Sequence, residues 1–100
     1  MLSFTFIYTQ ETSDIYLEGH KLLEEGKYEE ALQKFYECIE IDSENEWYQR
    51  SVGLVLCYYM NRYDEALPYF EKAFEIDSEE PVFAYDIGYT YGFLKKYKLS

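Results

Sequence analysis

From Tyr28 onward the apolar residues of this chain recur three and four apart. Ala31, Leu32, Phe35, Cys38 and Ile39 form one stripe, and Ala66, Leu67, Phe70, Ala73 and Phe74 form its twin thirty-five positions later. That spacing predicts two amphipathic helices, each with one face turned to a core. Gly26 and Asn61 stand just before these helices, where a preceding helix must end, and both residue types tolerate the left-handed turn such an end requires. The polar runs "DSEN" and "DSEE", at 42–45 and 77–80, then supply the break before the next helix. The expected unit is a pair of short antiparallel helices, stated twice.

The duplication extends to residue identity. "GKYEEALQKFYECIEIDS" and "NRYDEALPYFEKAFEIDS" share nine of eighteen residues, among them Tyr28/Tyr63, Ala31/Ala66, Leu32/Leu67, Phe35/Phe70, Ile41/Ile76 and Asp42/Asp77. A glycine also precedes each copy and then appears a third time, at Gly19, Gly53 and Gly88, spaced by thirty-four and thirty-five. Small residues (these glycines, Ala31, Ala66, Cys38 and Ala73) recur where helices would cross closely. Large ones (Tyr28, Phe35, Tyr63 and Phe70) recur where they would fill the gaps between pairs. One pair alone cannot bury its apolar face, whereas stacked pairs can, so the repeated phrase reads as packing rather than as a duplicated site. The second copy carries one extra residue between Gly53 and Ala66, near "YYMNR", which predicts an altered helix or turn there. Pro68 removes a backbone donor close to a helix start, where the cost is below the roughly 3 kcal/mol of a mid-helix proline.

A glycine midway along a first helix, then Gly-x-Tyr-x-x-Ala-x-x-x-Phe at a period near thirty-four, resembles the tetratricopeptide repeat. Residues 12–45 resemble one repeat, 46–80 a second, and 81–100 the first helix of a third, leaving 1–11 as an N-terminal extension. The chain departs from the family pattern at Ser43 and Ser78, where a proline usually stands. The resemblance implies an all-α solenoid of antiparallel helix pairs, about two and a half repeats long. It also implies a concave groove built by the first helix of each repeat. At the matching positions that groove presents Tyr16, Leu17, His20 and Leu23, then Trp47, Arg50, Ser51, Leu54 and Tyr58, then Val82, Tyr85, Asp86, Tyr89 and Phe93. Family members that grip the C-terminal carboxylate of chaperones do so with a clamp of Lys, Asn and Arg. Here Tyr16, His20, Ser51, Val82 and Asp86 occupy those positions, so the clamp is missing and Asp86 is expected to repel a carboxylate. About half of the groove's aromatic positions are expected to be core.

Charge and composition narrow the partner. The chain has a hundred residues, one domain's worth, and a net charge of −11 from twenty acids and nine bases. Such a balance repels phosphate backbones and anionic membrane surfaces and attracts basic partners. Aromatic residues make up 21% of the chain, enough to leave rings over for a surface after the core is filled. The expected partner is a protein or peptide with apolar anchors and net positive charge, not nucleic acid and not membrane. The opening "MLSFTFIYTQ" is too short and too polar for a signal or a span. With two cysteines, Cys38 and Cys57, at neither metal-ligand nor disulfide-framework spacing, a cytoplasmic protein with reduced thiols is expected.

Nothing in the pattern makes a catalytic constellation. His20 is the sole histidine, with no second ligand or nucleophile at a telling distance. The acid pairs Glu24/Glu25, Glu29/Glu30, Asp64/Glu65 and Glu79/Glu80 are adjacent on helices, so their side chains diverge by about 100° and form a solvated face. With no phosphate loop, nucleophile elbow or calcium loop, no enzyme activity, cofactor or metal is expected. The function expected is a non-catalytic interaction module, an adaptor or scaffold receiving a peptide. Two alternatives stand beside it. One is a self-associating structural module, joined through the C-terminal helix. The other is a piece of a longer array or a regulatory part of a larger enzyme. In "PVFAYDIGYTYGFLKKYK" apolar residues surround most of a helix, so one side can close the second repeat while the other lies open. Leu2, Phe4, Phe6 and Tyr8 stand two apart, with Ser3 and Thr5 between the first three, and fit an extended cover.

Overall fold

The structure is a computed structural model that describes residues 12–95 with their side chains and follows the outer helices to residues 2 and 99. Five helices carry the chain: α1 (Leu2–Glu24), α2 (Tyr28–Ile41), α3 (Glu46–Leu54), α4 (Tyr63–Ile76) and α5 (Pro81–Leu99), with no strand among the described residues. α1 packs on α2 and α3 on α4, while α5 lies against α4. The molecule measures 54 × 31 × 18 Å, its thinnest dimension matching two layers of helix. The expected all-α stack of helix pairs is what forms. The extended cover expected from Leu2, Phe4, Phe6 and Tyr8 does not form, because these residues belong to helix α1.

Both predicted turns take the left-handed conformation, at φ 79° for Gly26 and φ 57° for Asn61. Around the first, the Lys27 N–H reaches back to the Leu22 carbonyl at 2.9 Å, satisfying a group the helix end would otherwise leave bare. Asn45 opens α3 by accepting from the N–H groups of Trp47 and Tyr48 through its side chain, at 3.0 and 3.2 Å. Pro68 sits inside α4 without interrupting it.

The extra residue of the second copy is absorbed inside a helix. α3 passes directly into a π-helical turn over Val55–Tyr59, and the Met60 N–H donates to the Val55 carbonyl at 3.0 Å. This widened turn rotates the residues behind it, settling Cys57 in the core at 1% exposure. The Arg62 N–H then closes the end on the Leu56 carbonyl at 2.7 Å.

The core is organised around two rings. Phe35 and Phe70 are wholly buried, each contributing roughly 1.5–3 kcal/mol of burial. Phe35 presses on Gly19, where an added Cβ would meet its ring at 2.6 Å, and Phe70 presses likewise on Gly53, at 2.7 Å. The glycines are therefore seats, and each seat is filled by the second helix of its own pair. Gly88 departs from the expected close crossing, because an added Cβ there would meet nothing within 4 Å. Among the described residues no third ring lies on it. Tyr28 also fills less than expected: it is 36% exposed and rests against Tyr59, with ring centroids 5.1 Å apart.

Placing a methyl group in a filled seat should be costly and in the empty one harmless. Gly53→Ala is expected to lower unfolding free energy in urea by about 1–3 kcal/mol through overpacking against Phe70, while Gly88→Ala in dilute solution should cause no loss. Equal losses at both positions would contradict the seating.

Candidate functional site

α1, α3 with its π turn, and α5 lie side by side and form one wall of the molecule. The Ser51 hydroxyl bonds the Tyr16 hydroxyl at 3.4 Å, joining α1 to α3. Trp47 packs on Phe83 with centroids 5.0 Å apart, and Tyr58 packs on Tyr89 at the same distance, joining α3 to α5. The fourteen predicted groove residues lie on α1, on α3 with its π turn, and on α5, and they differ in exposure. Leu17, Trp47, Tyr85 and Tyr89 are exposed. Tyr16, His20, Arg50, Leu54, Tyr58, Val82 and Phe93 are half-buried. Leu23, Ser51 and Asp86 are buried and offer a ligand nothing directly.

Asp86 holds the middle of the wall. Its carboxylate is fully buried, yet it accepts from Arg50 Nε at 2.7 Å, from Arg50 Nη2 at 3.5 Å and from the Tyr58 hydroxyl at 2.8 Å. A lone buried carboxylate would be very costly, so three donors converging on it are what permit its burial. The expectation that Asp86 stands in the groove and repels an anion is therefore corrected: its charge is spent on Arg50. Arg50 is equally committed, so this pair leaves neither of its charges free. The π turn takes part here, since without its extra residue the position of Tyr58 would be rotated by about 100° away from Asp86. Beside the carboxylate, the Thr90 hydroxyl donates to the Asp86 backbone carbonyl at 2.7 Å and lies 3.6 Å from the Cys57 sulfur. Neither Thr90 nor the pairing of Arg50 with Asp86 was singled out in the sequence. The available signal was an opposite-charge pair separated by nearly one repeat length.

Burial favours the neutral forms of His20, Tyr58 and the two cysteines. Burial lowers the pKa of His20, outweighing Glu24, and the imidazole packs edge-on to Tyr16 at 4.6 Å. Burial, followed by the hydrogen bond to Asp86, pushes the Tyr58 phenol far above its usual range. Burial likewise lifts the Cys38 thiol to about 11, while its S–H points to the Thr12 carbonyl at 3.8 Å. Cys57 shifts upward for the same reason. Neither cysteine has the depressed pKa of a reactive thiol. Among the described residues no cluster of His, Cys, Asp or Glu could hold a metal ion, and no helix is long and apolar enough to cross a membrane.

A continuous strip of rings runs along the α5 side of the wall. Tyr85, Tyr89 and Phe93 follow one another at centroid distances of 6.0 and 4.8 Å, and Phe93 stacks on Tyr63 at 4.6 Å with planes 2° apart. A cleft of about 450 Å³ opens near the end of this strip, lined by Asn61, Arg62, Tyr63, Asp64, Glu65 and Leu94.

The stacked helix pairs, the glycine seats and the inner wall define a helical-repeat protein. Residues 15–45 and 53–80 match the family model of the tetratricopeptide repeat, and the chain belongs to that family. Among solved structures it is similar to the second tetratricopeptide domain of Spaghetti (RPAP3), determined bound to the HSP90 peptide SRMEEVD. That likeness has a TM-score of 0.80 at 23% identity, covers 87% of this chain and 80% of the other, and concerns the fold. No curated protein matches the chain.

Two tests follow from the buried charge and the neutral phenols and thiols. Arg50→Met should cost about 3 kcal/mol in urea unfolding, the low end for breaking a buried pair because Arg50 keeps 24% of its side chain exposed. Adding Asp86→Leu should recover most of that loss, which no simple defect of packing would do. The raised pKa values of Cys38 and Tyr58 mean the folded chain holds protons that the unfolded chain releases from about pH 9 upward. Stability should therefore be full below pH 9 and fall as the pH climbs toward 11 and beyond, seen as cooperative loss of helical circular dichroism together with tyrosinate absorbance. Independent ionisation of tyrosines with the helices intact would contradict this.

Proposed function

We propose that this chain is a non-catalytic interaction module whose inner wall receives an extended or helical peptide on apolar and aromatic anchors. The observation that carries this reading is the pairing of exposed Leu17, Trp47, Tyr85 and Tyr89 with an inner wall whose central charges cancel. Rings of this kind supply most of the energy in protein interfaces, where a few aromatic anchors dominate. With Arg50 closed off by Asp86, the peptide is selected by apolar contact and not by a carboxylate grip.

Charge acts at longer range. The acids stand on the outer helices, with Glu29, Glu30, Glu37 and Glu40 exposed on α2 and Asp64, Glu65, Glu71 and Glu75 on α4. A peptide whose apolar anchors are flanked by basic residues is drawn toward such a surface and loses part of that attraction as salt rises. The ligand bound by the RPAP3 domain, SRMEEVD, carries three acids, and this chain is the wrong receptor for a tail of that kind. The fold and the interaction role correspond; the specificity does not.

Titration calorimetry against a peptide panel tests the reading. Peptides with two or more aromatic or leucine anchors and basic flanks should bind, and SRMEEVD should bind at least about tenfold more weakly, a difference of about 1.4 kcal/mol. Trp47→Ala should weaken the preferred peptide by about 2 kcal/mol while leaving the helical circular dichroism unchanged. A preference for acidic peptides that is indifferent to salt would overturn the proposal.

A further inference from the structure

The exposed side of α5 carries no charge along most of its length, unlike the exposed sides of α2 and α4. Between Pro81 and Gly92 no exposed position carries a charge, and the single acid there, Asp86, is turned inward. Tyr85, Gly88, Tyr89 and Gly92 follow a three-and-four spacing that puts them on one side of the helix, and all four are exposed. Tyr85 is 64% exposed and Tyr89 39%. A shallow cavity of about 290 Å³ lies beside them, lined by Gly88, Tyr89, Gly92 and Phe93, and an added Cβ at either glycine would meet nothing within 4 Å. Twice in this chain a glycine at the position of Gly88 carries an aromatic ring from another helix, Phe35 on Gly19 and Phe70 on Gly53. Gly88 is the third such position, and no ring among the described residues lies on it.

We propose that the seat is filled by a second copy of the chain, packed antiparallel through α5 about a two-fold axis that passes between Gly88 and Tyr89. In that register Tyr85 of each copy lies over Gly92 of the other, and Tyr89 lies over the other copy's Gly88. The alternation of ring and glycine is self-complementary, as a two-fold interface requires. The tyrosine hydroxyls stay at the rim, where water satisfies them.

Charge selects a second copy over a foreign helix. Each copy bears a net charge of −11, so two copies meeting at α2 or α4 would bring rows of glutamates together. The uncharged α5 face is where they can meet without opposing acids, and it offers a basic partner no ion pair in return. The residual repulsion between whole molecules is screened over roughly 8–10 Å at ordinary salt. Added salt should therefore tighten this dimer, the opposite of its effect on a basic peptide. Tyr85 and Tyr89 also border the inner wall, so a second copy and a peptide reaching the α5 end compete.

Sedimentation equilibrium across a dilution series at low and high salt tests the proposal on the full chain. The mass should rise with concentration from 12.1 kDa toward twice that value, and do so at lower concentration in high salt. Gly88→Leu and Gly92→Leu should stay at one chain's mass throughout, with circular dichroism and melting unimpaired because both sites are open in the single chain. Tyr85→Ala should weaken association at least about tenfold. A one-chain mass at every concentration, leaving the face to a foreign helix, overturns the proposal. So does association that survives both leucine variants or is loosened by salt. Because Gly88→Leu leaves Trp47 and Leu17 untouched, peptide binding by that variant shows whether the groove reading stands separately.

Discussion

A phenylalanine lying on a glycine is the contact from which the rest of this architecture follows. Gly19 and Gly53 give up side chains so that Phe35 and Phe70 can approach the backbone of the neighbouring helix, at a distance where even a methyl group would collide. That approach fixes how the two helices of a pair cross. It also leaves their remaining apolar faces pointing outward, at the next pair, so a single hairpin is unfinished by construction and gains its stability from its neighbour. The flat, two-layered shape and the one-sided inner wall are the geometric result of repeating that step.

The second repeat shows how far the pattern can be bent without breaking. One additional residue would throw every later side chain of a helix out of phase. Here the surplus is confined to the π turn at Val55–Tyr59, so α4 resumes the stripe of α2 with Ala66 and Phe70 buried just as Ala31 and Phe35 are. The shift brings Tyr58 onto the Asp86 carboxylate. A local irregularity in one helix therefore completes the polar contact that fastens α5 to the second pair.

Much of this was legible in the sequence, for a definite reason. The seats and their rings are written twice at one spacing, and Gly26 and Asn61 mark turns by a backbone preference that needs no tertiary context. The extra residue near "YYMNR" announced a disturbance, though its form as a widened turn depends on how the flanking core holds the helix. The roles of the inner wall were less legible. Arg50, Tyr58 and Asp86 were each placed on the wall, yet their union depends on side chains meeting across separate helices, and no periodicity encodes that. Gly88 misled for the same reason: it bears the mark of a close crossing, but whether anything crosses there is a property of the next element in space.

The bond between Arg50 and Asp86 joins two charges that belong to different structural units, α3 of the second pair and α5. Asp86 reaches Arg50 only while α5 is docked. Were that last helix to peel away, the guanidinium would be left bare in the middle of an otherwise neutral trough. An acidic protein would then carry an anion-reading surface. The electrical character of the wall is thus set by the seating of α5 against the second pair.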